Sequence, residues 1–254
     1  MLKIGCCGFS EARSKYFCEF KVVEVQQTFY QPPRLETLEQ WRNEAPPEFE
    51  FTLKAWQLIT HPATSPTYRR LKKPNSISNP ANYGFFKATD EVFAAWEETR
   101  RCANALNAKL VIFQCPASFK PTDENIENME KFFLEIDRPG LTLCWEPRGQ
   151  WENKIIASLC ERLNLVHCVD PFVTEPVPGS IYYFRLHGIG GYRYRFSTQD
   201  FERLTVYHLS DKPIYYMFNN VAMLEDARSF LKFIANRDAE AATSQLQGAQ
   251  LIQI

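Results

Sequence analysis

Three carboxylates (Glu24, Glu146 and Asp170) and three cations (Lys54, Arg148 and Arg185) stand at or near the places where apolar runs surface. Gln114, His187, Asn219 and Asn220 occupy similar positions, Tyr30 closes another run, and His61 lies in a long connection able to fold over them. Acids and bases in equal number suit proton transfer to or from an anionic or sugar-like molecule. One carboxylate beside an arginine stays ionised, while another in a drier place can hold a proton. Glu24, Glu146 and His187 are the acid–base candidates. Lys54, Arg148 and Arg185 form a charge clamp, in which the arginines offer a planar fork and the lysine a point charge. Tyr30, His61, Gln114, Asp170, Asn219 and Asn220 complete the substrate-binding set.

Other chemistries fit less well. A two-metal hydrolase needs an excess of carboxylates and imidazoles. Of four histidines, only His61 and His187 lie near this end; His167 is inside an apolar run and His208 precedes the last one. No G-x-S-x-G elbow is present, and no serine or cysteine has a histidine close in sequence. The expected site therefore carries neither metal nor cofactor, with a divalent-metal hydrolase as an alternative. Two opposed carboxylates could also flank a glycosidic bond. Against every catalytic assignment stands a structural one, in which Glu146–Arg148 and Asp170–Arg185 simply neutralise each other. Trp151 reads as packing between helix and barrel, and Tyr192 and Tyr194 as packing before stacking platforms.

The elements that position these residues alternate. The pattern predicts strands over 2–9, 22–30, 49–56, 110–116, 141–148, 165–171, 181–188 and 213–220, with helices over 35–43, 87–107, 122–136, 151–163, 198–204 and 222–236. Thr122 is an N-cap candidate. In the second strand, Glu24, Gln26, Thr28 and Tyr30 share one face by the period of two. Eight strands alternating with helices in 254 residues are the signature of one (β/α)₈ TIM-type barrel, whose active sites lie at the C-terminal strand ends. A doubly wound sheet would want a G-x-G-x-x-G loop after the first strand, and Gly5-Cys6-Cys7-Gly8 is not one. Residues 57–86 form a long loop after strand three, carrying Arg69, Arg70, Lys72 and Lys73. Such connections are functional lids or loosely ordered segments. Residues 238–254 read as an extended tail or oligomer contact.

Hydrophobic residues make up 45% and the formal charge is −1, which gives no global case for nucleic acid or membrane. Nucleic-acid binding through the basic 57–86 loop is a second alternative, and the expected partner is a small polar or anionic molecule. No apolar run spans a bilayer, and the chain begins directly on a strand, so a cytoplasmic location is expected. The eight cysteines show neither C-x-x-C pairs nor zinc spacing and read as small buried thiols.

Val23-Glu24-Val25-Gln26-Gln27-Thr28-Phe29-Tyr30, Glu146-Pro147-Arg148 with Trp151, Tyr183-Phe184-Arg185-Leu186-His187-Gly188 and Phe218-Asn219-Asn220 follow one another in the order of the YecE-like family, domain of unknown function family 72. The chain resembles that family over nearly its whole length, including a lysine strand followed by Thr60-His61. The resemblance implies a (β/α)₈ barrel and names no reaction. Two departures stand out. Gly5-Cys6-Cys7-Gly8-Phe9 replaces a G-T-S-G-W-like opening, and Gln26-Gln27 replaces an Asn-Ser pair.

Overall fold

A computed structural model describes residues 1–71, 77 and 79–251, with backbone alone over 241–251. Eight strands close into a parallel barrel in chain order: β1 (Leu2–Cys6), β2 (Val22–Val25), β3 (Glu50–Lys54), β4 (Leu110–Gln114), β5 (Thr142–Glu146), β6 (Leu165–Val169), β7 (Tyr182–Leu186) and β8 (Ile214–Phe218). β8 pairs with β1 from Leu2↔Ile214 to Cys6↔Phe218, which removes both sheet edges. The helices of the described residues are α1 (Arg13–Glu19), α2 (Gln27–Tyr30), α3 (Leu35–Glu44), α4 (Gln57–Thr60), α5 (Asp90–Leu106), α6 (Asp123–Glu135), α7 (Asn153–Leu163), α8 (Thr198–Leu204) and α9 (Met223–Leu251).

Strand alternation sorts the apolar residues into two cores. Val22, Leu110, Ile112, Cys144, Val166, Cys168, Tyr183, Tyr215 and Met217 fill the barrel, whereas their neighbours Val23, Val111, Phe113, Trp145, Phe184 and Tyr216 pack against the helices. Both faces of each strand are covered, so the strands read as nearly continuous apolar runs. The inward parity that places Cys144 in the barrel brings Glu146 to its mouth, and the parity of Tyr183 does the same for Arg185.

Several helix starts follow local chemistry. Thr122 accepts a hydrogen bond from the Asn125 amide at 3.3 Å, and Ser197 with Asp200 forms a capping box at α8.

The differences from the sequence reading are local. The second strand ends at Val25, because Gln26 already has helical dihedrals (φ −92°, ψ −25°) and α2 begins behind it. Thr28 and Tyr30 therefore do not share a strand face with Glu24. Thr28 instead donates to the Lys54 carbonyl at 2.7 Å, tying this turn to β3. Residues 10–20, between the first two expected strands, hold α1. The 57–86 segment is folded down over its described parts: Gly84 and Phe86 donate to Leu58 and Ile59 at 2.9 Å, and Tyr68 donates to the His61 carbonyl at 2.9 Å. Lys72 and Lys73 lie outside the described residues. The tail continues α9 to Leu251 instead of fraying after Asn236.

Candidate active site at the barrel mouth

Arg185 is the hub. Its guanidinium, 1% exposed, lies 3.0 Å from Glu24 Oε1 and 2.5 Å from Glu146 Oε2, and its Nη1 donates to Gln114 Oε1 at 3.2 Å. β2, β4, β5 and β7 are thus joined through one side chain. Glu24 also accepts from Tyr183 at 2.9 Å and from Gln26. Because Tyr183 gives its only proton to Glu24, Thr52 must donate to the Tyr183 oxygen across their 2.7 Å contact. Glu146 turns its other oxygen to Arg148, whose Nη2 lies 3.0 Å away. The expected Asp170–Arg185 pair does not form. Arg185 serves the two glutamates, and Asp170 turns to His187.

Burial and charge compete at each group. Burial alone would raise Glu146, but Arg185 and Arg148 bring it down to about 2, so it is ionised at neutral pH. Burial would lower Arg185, yet Glu146 and Glu24 hold it well above its ordinary value. Lys54 is brought down to about 7 by burial, with Arg185 adding repulsion. Its Nζ donates to Gln114 at 2.7 Å and sits 3.8 Å above the Phe29 ring. His61, placed edge-on to Phe29, is pushed down to about 3 by burial and by the charges of Lys54 and Arg148.

An outer chain of side chains faces open space. Arg148 Nη2 lies 2.7 Å from His187 Nε2. An arginine can only donate, so Nε2 accepts and the imidazole proton sits on Nδ1. That nitrogen faces Asp170 Oδ2 at 3.4 Å, and the His187 backbone amide donates to the same oxygen at 2.9 Å. Glu146, Arg148, Asp170, His187 and Tyr192 border a cleft of about 360 Å³. Gly149 and Gly188, directly after Arg148 and His187, both have positive φ, +117° and +97°. A Cβ at Gly149 would come 2.8 Å from the Ala117 carbonyl, and one at Gly188 2.6 Å from the Gly191 carbonyl. These turns present the two side chains to the cleft.

Glu24, Glu146, Lys54, Gln114, Arg148, Asp170, Arg185 and His187 thus come together at the mouth, and His61 feels its charges. Three expected residues stand differently. Tyr30 lies under the Arg70 guanidinium at 4.2 Å, which also engages half of the described basic pair. Asn220 donates to the Tyr194 carbonyl at 2.8 Å and to Asp226 at 2.6 Å, bracing the 190–196 loop against α9. Asn219 gives its backbone amide to Leu186 at 2.8 Å.

Sequence reasoning passed over Tyr183, although its place two residues before Arg185 is itself an inward-parity signal. It also passed over His167, which lines the cleft from the outer face of β6. Trp151 packs as expected, stacked on Phe119 and edge-on to Trp145, and it also borders the cleft. Among the described residues no three His, Cys, Asp or Glu side chains are grouped to hold a metal ion, and no helix is long and apolar enough to cross a membrane.

Fold and site together define a closed (β/α)₈ TIM barrel with a buried, charge-balanced mouth. The chain belongs to the DUF72 family: the model described as "Protein of unknown function DUF72" matches residues 5–250. Among solved structures it is similar to a DUF72 family protein (EF0366) from Enterococcus faecalis V583, with 19% identity, TM-score 0.70, and 92% of this chain and 96% of that one covered. A DUF72 family protein (TM1631) from Thermotoga maritima MSB8 shows 21% identity and TM-score 0.66, covering 92% and 99%. A D-tagatose 3-epimerase-like protein shares the fold at 12% identity and TM-score 0.59, covering 94% and 99%. No curated protein matches the sequence.

Proposed function

We propose that the barrel mouth is the active site of an enzyme that moves a proton on a small anionic or sugar-like molecule without a required metal. The observation that carries this reading is the Asp170–His187–Arg148 chain on the rim of the cleft, with Glu146 behind it. Asp170 fixes the imidazole tautomer, as in other acid–base sites where a carboxylate orients a histidine. Arg148, whose side chain is 33% exposed, is placed to take an anionic group of the ligand. When it turns to that group, the His187 Nε2 lone pair is released to accept a proton from an adjacent hydroxyl or from a carbon beside a carbonyl. Returned to a different atom, the same proton completes an isomerisation or an elimination. Glu146, held at about 2, is too weakly basic to take this proton readily at neutral pH. Its role is to hold Arg148. Glu24 and Arg185 form the rigid floor, and Lys54, near 7, is a second proton carrier on the far side of Gln114. Charge balance favours this chemistry over a metal hydrolase, since each carboxylate already faces a positively charged or imidazole partner. The sugar names of some similar barrels agree with the substrate class but, at 12% identity, report the fold alone.

The test is a thermal-shift screen of phosphate, sugar phosphates, sugars, nucleotides, short RNA and divalent ions. A ligand at ~100 times its dissociation constant adds about 2.7 kcal/mol of stability. An anionic hit lost in Arg148→Ala supports the reading. On a substrate so identified, His187→Gln should lower turnover by roughly 10²–10⁴-fold and change binding only slightly. Retention of the shift in Arg148→Ala, or unchanged turnover in His187→Gln, would overturn it.

A further inference from the structure

The cleft does not stop at the barrel axis. From Glu146 and Arg148 it continues between the strand layer and the helix layer, bordered by Trp151, Ile156 of α7, Val169 and Val173. His167 lines this inner part. It shares the outward parity of Leu165 and Val169 on β6 and is 4% exposed. Its Nδ1 accepts the Val177 amide at 3.2 Å, which places the imidazole proton on Nε2. Burial pushes His167 down to about 4, so the ring stays neutral. Among the described residues Nε2 has no hydrogen-bond partner, and it is not one of the donors sealed in the core. A histidine aligned by a backbone amide thus offers a spare donor beside an apolar pouch, where an entering ligand would have to replace the water that otherwise pairs it.

We propose that this pouch is a second subsite, which takes an apolar, planar portion of the ligand bearing one acceptor atom for His167 Nε2–H. Resting on the reading of Arg148 and His187 as the anion end, it makes the substrate bipartite: a small acid or phosphate ester carrying a heterocyclic or acyl group. The pouch selects for that group by the single donor, because a ligand without the acceptor leaves the buried N–H unpaired. The same donor explains why a histidine stands at a strand position whose neighbours of equal parity are aliphatic.

Isomeric quinoline carboxylates, each paired with the naphthoate of the same shape, separate the two ends. Titration calorimetry should find one quinoline bound ~10-fold more tightly than its naphthoate partner, and in His167→Phe the preference should disappear. The imidazole Nε2 resonance of ¹⁵N-histidine-labelled protein should move with the quinoline and not with the naphthoate. Thr174 also lines this cleft; Thr174→Trp, which narrows it while leaving His167 in place, should weaken both compounds and covers the case in which His167→Phe fails to fold. Inorganic phosphate reads the anion end alone and should bind wild type and His167→Phe equally. Loss of phosphate binding together with a retained His167-dependent preference would sink the anion-end reading and leave the pouch. Equal binding of both partners, or binding of neither, would overturn the pouch itself.

Discussion

Replacing Arg185 with methionine removes the charge that joins β2, β4, β5 and β7 while keeping much of the side-chain volume. Glu24, fully buried, would keep Tyr183 and Gln26 as partners but lose its counter-ion. Glu146 would keep only Arg148 and the weaker influence of His187 and Lys54. Breaking a buried pair from one side costs about 3–5 kcal/mol, because a desolvated charge is left behind. Linkage offers an independent figure. A carboxyl held at about 2 instead of its ordinary 4.5 contributes about 3 kcal/mol at neutral pH. That contribution is present above about 4.5 and is lost as the pH falls through about 2, since the folded value lies below the unfolded one. In the variant burial acts unopposed by Arg185, so protonation of Glu146 becomes easier and relieves the cost. Urea unfolding followed by tryptophan fluorescence at pH 7 and near pH 4 should therefore show a gap of about 3–5 kcal/mol that narrows at the lower pH. A loss below ~1 kcal/mol, or one independent of pH, would refute the assignment of Arg185 as the electrostatic hub.

Lys54 provides a second pH-dependent test. Because its folded value of about 7 lies below the usual 10.5, unfolding takes up a proton between those limits, and its contribution to stability grows as pH rises through them. A lysine resonance titrating near 7 and absent in Lys54→Met is expected; titration above 9 would contradict the burial argument. Gly188→Ala should cost about 1–3 kcal/mol and disturb His187, since its Cβ meets the Gly191 carbonyl at 2.6 Å and Tyr194 Cβ at 2.7 Å. Gly190→Ala has nothing within 4 Å and should cost less; equal denaturation midpoints for the two would remove the packing argument. Among the thiols only Cys18 is exposed, and burial pushes Cys6, Cys102 and Cys160 up to about 12. A thiol reagent should label one cysteine rapidly in the folded protein and all of them after unfolding, and a second fast site would argue against these buried positions.

The period of two in apolar runs was enough to place Glu146, Gln114 and Arg185 at the barrel mouth, because side-chain direction in a strand follows from backbone geometry. Extending the same rule past Val25 misplaced Tyr30. Gln26 adopts helical dihedrals, and nothing in a β-favouring stretch such as Thr28-Phe29-Tyr30 signals that a turn of helix will win by tying Thr28 to the Lys54 carbonyl. Asn219 and Asn220 sat at a strand end as expected, yet Asn220 was claimed by α9 and Asp226, an element that parity does not see.

By itself the chain determined the number and order of strands, the covered faces and the end at which charges gather. These depend on local periodicity and on turn and capping residues. Only the tertiary structure decided which charges meet. Glu24 and Arg185 are separated by 161 positions and become neighbours only when the barrel closes. Closure is also what lowers Lys54, through burial, and what brings the distant Arg185 against Glu146 to lower it beyond its neighbour Arg148, since such effects act through space. His167 shows the same limit from the other side. As one polar residue in an apolar strand it reads as core, and its free nitrogen acquires meaning only where α7 leaves a cleft beside β6.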